Sequence, residues 1–196
     1  LDAVAAAVAD ADRGLLVAGP SDVPAPAPSR DALAALAETT GFPVLADPLS
    51  GHRFGHEDGI VGGYDAYLVP EVTSDWPAPD VVMRFGASPT SKTLRTYLER
   101  TDARQFLVDP AGDWREATFT ATDLVVADPT RFARGVADAV DRPSRTDWRA
   151  RFERAEAAYW GLVDATDEFF EGAVVGAVAD LLPDPATLFV SNSMPV

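Results

Sequence analysis

The stretch DVVMRFGASPTSKTLRTYLER, residues 80–100, decides the fold. Val81, Val82, Met83 and Phe85 make a nearly unbroken apolar run between Asp80 and Gly86. A half-solvated strand would alternate polar and apolar residues, so this run reads as a strand buried on both faces. Residues 86–90, GASPT, form a turn. Leu94, Tyr97 and Leu98 then recur at helical spacing on one face. Strands joined through helices are the units of parallel sheets, because parallel neighbours need a long crossover.

The same unit appears on either side. GLLVAG (14–19) is an apolar run followed by a proline-rich loop, residues 21–29. Residues 31–40 then place Leu33, Leu36 and Ala37 on one helical face, and Gly41 stops that helix because it tolerates positive φ. PVLADP (43–48), QFLVDP (105–110) and DLVVADP (123–129) supply three more strands. Asp128 followed by Pro129 predicts a capped helix start, with Phe132, Val136 and Val140 facing inward. Residues 147–170 predict a long amphipathic helix with Phe152, Ala155, Tyr159, Leu162, Val163 and Phe169 as its buried stripe. A second helix is expected over 172–182. The pattern predicts the α/β class: a mostly parallel, doubly wound sheet of about five to six strands, with additional C-terminal helices.

Other segments read differently. The Gly-rich stretch 49–63 predicts an irregular loop. TLFV (187–190) predicts a buried strand, with SNS (191–193) as its turn. Pro143 predicts a break before the C-terminal helices, and Pro183 and Pro185 a domain boundary. The expected organisation is therefore one domain over 1–183 and, over 184–196, the first strand and turn of another. Leu1 stands where an initiator methionine would, so a fragment of a longer protein is expected.

The chain has 196 residues, 47% of them hydrophobic, which suffices for a packed core. There is no cysteine, hence no disulfide framework or thiolate metal site. No apolar run reaches the ~18 residues of a membrane span, and no signal peptide is evident. Thirty-one Asp and Glu face 16 Lys and Arg, a net charge of −15. That balance disfavours nucleic acid and anionic membranes as partners. Only Lys92 among the basic residues is a lysine; the rest are arginine. So acidic a surface with almost no lysine suits an organism that accumulates salt, where repulsion is screened. A cytoplasmic location is expected.

In open α/β sheets, ligands sit beyond the carboxyl ends of strands. After the first strand, GPSD lacks the glycine spacing of a dinucleotide loop, and no phosphate-binding GxxxxGK[ST] is present. After the strand ending at Phe85, Ser88 and Pro89 predict a helix start. Lys92 falls in that first turn, where the helix dipole opposes a cation by ~0.3–1 kcal/mol. A bound anion would resolve the conflict; a solvated surface lysine is the alternative. Arg84 either joins such a site or pairs with a neighbouring acid. His52 and His56 are four apart, with Glu57 and Asp58 beside them, but the flanking glycines argue against a helix and a third ligand is missing. No metal site is therefore expected there. Trp114 is expected over the sheet edge with Arg115 pairing locally. Glu153, Glu156, Glu168 and Glu171 are expected on solvated helix faces. No Ser-His-Asp order is evident.

Five blocks in order, PVLADPLSG, YDAYL, PDVVMRFGASPTSKTL, VDPAGDWREATFTAT and LFVSNSMPV, resemble one family. It is 2-succinyl-5-enolpyruvyl-6-hydroxy-3-cyclohexene-1-carboxylate synthase, the MenD family of menaquinone biosynthesis. The resemblance implies a central-domain fragment of an enzyme dependent on thiamin diphosphate and Mg²⁺, with neither expected bound to the fragment alone. It implies 2-oxoglutarate and isochorismate as substrates, CO₂ as a product, and a homo-oligomer for the full enzyme. It implies that Lys92 lines the isochorismate side and that Ser193 lies near the substrate adduct; Arg84, from its place at the strand end, and Asn192, beside Ser193, are weaker substrate-binding candidates. Thr93 stands where some members carry an arginine. No catalytic residue is expected within these 196 residues, and the activating glutamate and metal motif are not in the sequence. Two alternatives stand beside this: a stand-alone nucleotide-binding module, or a structural dimerisation module.

Overall fold

A computed structural model describes residues 1–21, 26–53, 59–140 and 147–190. Two compact units divide the chain, Leu1–Trp160 and Gly161–Val196. In the first, β1 (Gly14–Ala18), β2 (Val44–Ala46), β3 (Ile60–Val61), β4 (Val81–Phe85), β5 (Arg104–Val108) and β6 (Asp123–Val125) form one sheet. Among the described residues it has six strands, all parallel, in the order β3-β2-β1-β4-β5-β6. This is the doubly wound order in which the chain starts at the middle and winds outward twice.

Alternation of side chains through the pleat splits the core into two layers. Leu16, Ala18, Met83 and Phe85 meet helices α1 (Asp2–Asp10), α2 (Arg30–Thr40) and α6 (Pro129–Ala139). Leu15, Val17 and Val82 meet α3 (Tyr64–Tyr67), α5 (Lys92–Glu99) and the start of α7 (Asp147–Asp164). A short helix, α4 (Pro70–Thr73), follows α3. The apolar runs of β1 and β2 are continuous, and that of β4 is broken only by Arg84, because both faces are covered.

Helix ends follow local chemistry. Ser29 caps α2, and Gly41 ends it at φ 67°. Asp128 caps α6, with Pro129 in its first turn. The cap of α5 is Ser91, not Ser88: its hydroxyl accepts from the Leu94 N–H, so Lys92 is the first helical residue.

Three further readings of the sequence need correction in the fold. Ile60 and Val61 form a strand inside the stretch expected to be irregular; two residues are too short to leave a periodic signal. The long helix stops at Asp164, and Leu162 and Phe169 of its expected buried stripe are 68% and 90% exposed. Residues 187–190 form no strand, and Phe189 is 91% exposed. A strand needs a ladder partner for its backbone groups, and none is paired with it among the described residues. The second unit contains α8 (Glu171–Leu181), none of whose residues is buried.

Candidate functional site

The carboxyl ends of the strands carry the candidate site. β2 runs into Asp47, whose carboxylate is buried, with the residue 1% exposed. One oxygen accepts from the Leu49 N–H at 2.9 Å and caps a single 3-10 turn at Pro48–Ser50. The other accepts from both the N–H and the hydroxyl of Thr90, each at 2.8 Å. Asp47 thereby ties the end of β2 to the turn between β4 and α5. On that turn's other side, Asp65 of α3 accepts from the Ser91 hydroxyl. Arg95, one turn into α5, donates to the carbonyls of Pro89 at 2.5 Å and Thr90 at 2.9 Å. Tyr64 lies beside Asp65 in α3. Burial, reinforced by the charge of Asp47 and opposed by Arg53, pushes its hydroxyl up to about 12, so it stays protonated.

Lys92 leaves this braced turn with its side chain exposed. The Asp65 carboxylate at the cap gives the α5 N-terminus a negative partner from within the chain. The dipole conflict therefore needs no external anion, and the case for Lys92 rests on its exposed place at the strand ends. Ser193 and Asn192 lie outside the described residues, as do His56, Glu57, Asp58 and Pro143. His52 is described and buried, and its N–H donates to the Ser50 hydroxyl.

Arg84 does not open to this rim. Its side chain is 3% exposed and its Nη2 lies 3.0 Å from Glu116 Oε1, whose side chain is 0% exposed. Its Nη1 reaches Gln105 Oε1 at 3.4 Å. Of the two readings of Arg84, the pair with an acid is the arrangement present. Glu116 also accepts from the Thr118 N–H and hydroxyl, the Thr120 N–H and hydroxyl and the Ala121 N–H. Burial alone would raise the Glu116 carboxyl, but Arg84 and the N–H groups overcome it and hold it down at about 2. The 110–122 connection is thus organised around one buried anion. At its tip Phe119 has φ 57° and is 85% exposed. Trp114 is 47% exposed, and Arg115 lies 3.6 Å from both Asp109 and Asp113.

A second anchor contradicts the solvated-face reading of Glu156. Its carboxylate accepts from the N–H groups of Gly62 and Gly63, from the Tyr67 hydroxyl and from the Trp160 indole N–H. Four donors converge from β3's end, α3 and α7 itself, which only tertiary packing could bring together. Glu116 and Glu156 both went unrecognised in the sequence. For Glu116 the one signal was Arg84, a charge inside an apolar strand that must find a buried partner.

The switch point of the sheet, between β1 and β4, is where a doubly wound fold holds a nucleotide or diphosphate. Here it is closed. The Gly19 N–H donates to Phe85 O at 2.8 Å and the Ala87 N–H to Pro20 O at 2.9 Å. A Cβ on Gly19 would stand 1.9 Å from Ala87 O, and one on Gly86, at φ 77°, 2.6 Å from Pro20 O. The amides that would cradle a phosphate are bonded to carbonyls of the facing segment. Nor, among the described residues, do three His, Asp or Glu side chains converge to hold a metal ion. The described residues do not fit a diphosphate–metal group.

Comparison with known proteins gives the family. Residues 6–190 match the family model described as the middle domain of thiamine pyrophosphate. A 2-succinyl-5-enolpyruvyl-6-hydroxy-3-cyclohexene-1-carboxylate synthase of Natronomonas pharaonis is 58% identical over 199 residues, covering 100% of this chain and 33% of that protein. Proteins with the same name from Haloarcula marismortui and Haloquadratum walsbyi are 53% and 47% identical, covering 95% and 94% of the chain and 32% and 35% of their own lengths. The chain thus spans about a third of the curated relatives it matches. The resemblance expected from the five sequence blocks is the one these relatives bear. A match over residues 6–190, on a six-stranded doubly wound sheet, places this chain in the family of thiamine pyrophosphate middle domains.

Proposed function

We propose that this chain is the central part of a synthase that decarboxylates 2-oxoglutarate and adds the succinyl unit to isochorismate, releasing CO₂. The observation that carries the reading is 58% identity, along the whole chain, to a protein named for that product. On this reading thiamin diphosphate and Mg²⁺ are held by other parts of the longer protein, which works as a cytoplasmic homo-oligomer. Residues 184–196 then belong to the start of the next domain, where Thr187–Val190 gain a strand partner and bring Ser193 and Asn192 to the substrate.

Within this chain the role falls to Lys92. Both substrates are dianions, and the protein carries a net charge of −15. An exposed ammonium group on a braced turn at the strand ends is suited to hold a substrate carboxylate against that background. A charge-assisted hydrogen bond is worth about 1.5–3 kcal/mol. Lys92→Ala in the full-length enzyme is therefore expected to raise KM for isochorismate roughly 10- to 100-fold, measured by steady-state kinetics. An unchanged KM refutes the role. The nucleotide-binding alternative finds no support, since the crevice it needs is closed by main-chain bonds. Salt adaptation belongs to the same proposal, supported by the single lysine and the acidic surface.

A further inference from the structure

We infer that Asp47 and Asp65 are positioning residues for Lys92, fixing the turn from which it reaches its substrate; this rests on the proposed role of Lys92. Lys92 has a long, flexible side chain, so its reach depends on how firmly its backbone is held. The three residues before it, Pro89, Thr90 and Ser91, each have a polar atom bonded to a side chain: Thr90 and Ser91 to acids from other elements, and Pro89 to Arg95 within α5. Thr90 gives both its N–H and its hydroxyl to one oxygen of Asp47, at 2.8 Å each. Ser91 gives its hydroxyl to Asp65 while accepting the Leu94 N–H at 2.9 Å. Pro89 and Thr90 give their carbonyls to Arg95.

The Asp47 contact is the less expected one. A residue whose one carboxylate oxygen already caps its own turn through Leu49 would need nothing more for local structure. Its second oxygen instead crosses to a loop 43 residues away. The Asp47 carboxylate is buried, and its bonds to Leu49 and Thr90 are all charge-assisted. The Asp65 bond makes the cap of α5 two-sided: the Ser91 hydroxyl donates to Asp65 while it accepts from Leu94, and a rotation that kept only the first bond would forfeit the cap. Together the two acids join β2, α3 and the start of α5 into one rim, with Lys92 at its lip.

The test uses the full-length enzyme and the variants Asp47→Asn, Asp65→Asn, Thr90→Val and Lys92→Ala. Asp47→Asn and Asp65→Asn should each raise KM for isochorismate about 5-fold or more while KM for 2-oxoglutarate stays within about 2-fold. Asp47→Asn combined with Lys92→Ala should be no worse than Lys92→Ala alone, because both act through one group. Hydrogen exchange should quicken in peptides covering residues 88–94 and not in β1 or β5. Thr90 is exposed, so Thr90→Val removes one bond without threatening the fold and should show a smaller change of the same kind. If Lys92→Ala raises KM but the Asp47, Asp65 and Thr90 variants do not, the positioning role is overturned. So it is if both Michaelis constants rise together. If Lys92→Ala itself leaves KM unchanged, the reading of Lys92 fails, and this inference with it.

Discussion

Glu116 and Arg84 face each other 3.0 Å apart with almost no access to water, and the pair contributes to the pH response of this unit. The Glu116 carboxyl, ordinarily near 4.5, is held at about 2 in the folded chain. A depressed folded value adds stability that is fully present above the unfolded value. That stability is lost as pH falls from about 4.5 towards 2. Glu116→Gln should therefore lower stability at pH 7 by about 3–5 kcal/mol, because Arg84 is left buried without its counter-charge. The gap between the two proteins should close as the pH drops through that window. Urea unfolding at a series of pH values, with salt held constant, reads both. A gap that stays the same from pH 7 to pH 3 would mean that Glu116 is not the titrating group. The exchange Arg84→Met with Glu116→Gln should cost far less than either change alone, since a neutral pair leaves no orphaned charge.

Elements are joined here by single carboxylates. Glu156 of α7 accepts from the backbone at Gly62 and Gly63, so the end of β3 is locked to a helix 94 residues on. Burial, and next the charge of Glu156, push the Tyr67 hydroxyl well above its usual value, so it remains a donor throughout the accessible pH range. Glu156→Ala should destabilise the fold by about 1.5–3 kcal/mol. It should also speed amide exchange at Gly62 and Gly63, checked by mass spectrometry on peptic peptides. Protection unchanged at those two amides would mean that water or other groups already serve them.

The elements differ in how far the sequence reveals them, and the reasons are physical. β1, β4 and β5 are legible because a strand covered on both faces is mostly apolar, Arg84 in β4 and Arg104 and Gln105 in β5 aside, a pattern that needs no knowledge of its neighbours. Asp128 with Pro129 and Gly41 are legible because capping is local. Ile60–Val61 is not, since two residues carry no period. The outer half of α7 misleads because Leu162 keeps helical spacing while lying on no core. Within the candidate site, Lys92 is visible as the one lysine of the chain. Asp47 looks like an ordinary cap before Pro48; its bond to Thr90 depends on the strand order, which periodicity does not encode.

The whole molecule carries its charge as a liability in dilute buffer. At a net −15 its acidic groups repel one another, and salt shortens the range of that repulsion from about 10 Å at 0.1 M to about 3 Å at 1 M. Raising KCl over that interval should lift Tm, by about 2–4 °C for each kcal/mol of repulsion screened. Scanning calorimetry checks it, and a flat response would remove the case for salt adaptation. Topology has its own lasting effect. Where β1 and β4 part, two glycine-bearing segments lie too close for any Cβ at Gly19 or Gly86. Descendants of this sequence could not restore a phosphate-accepting gap by exchanging side chains, since it is filled by peptide groups; they would have to reroute the main chain. The closed seam therefore leaves the outer lip of the sheet as the place where a change of loops alone, with the main-chain path kept, could create a new contact surface.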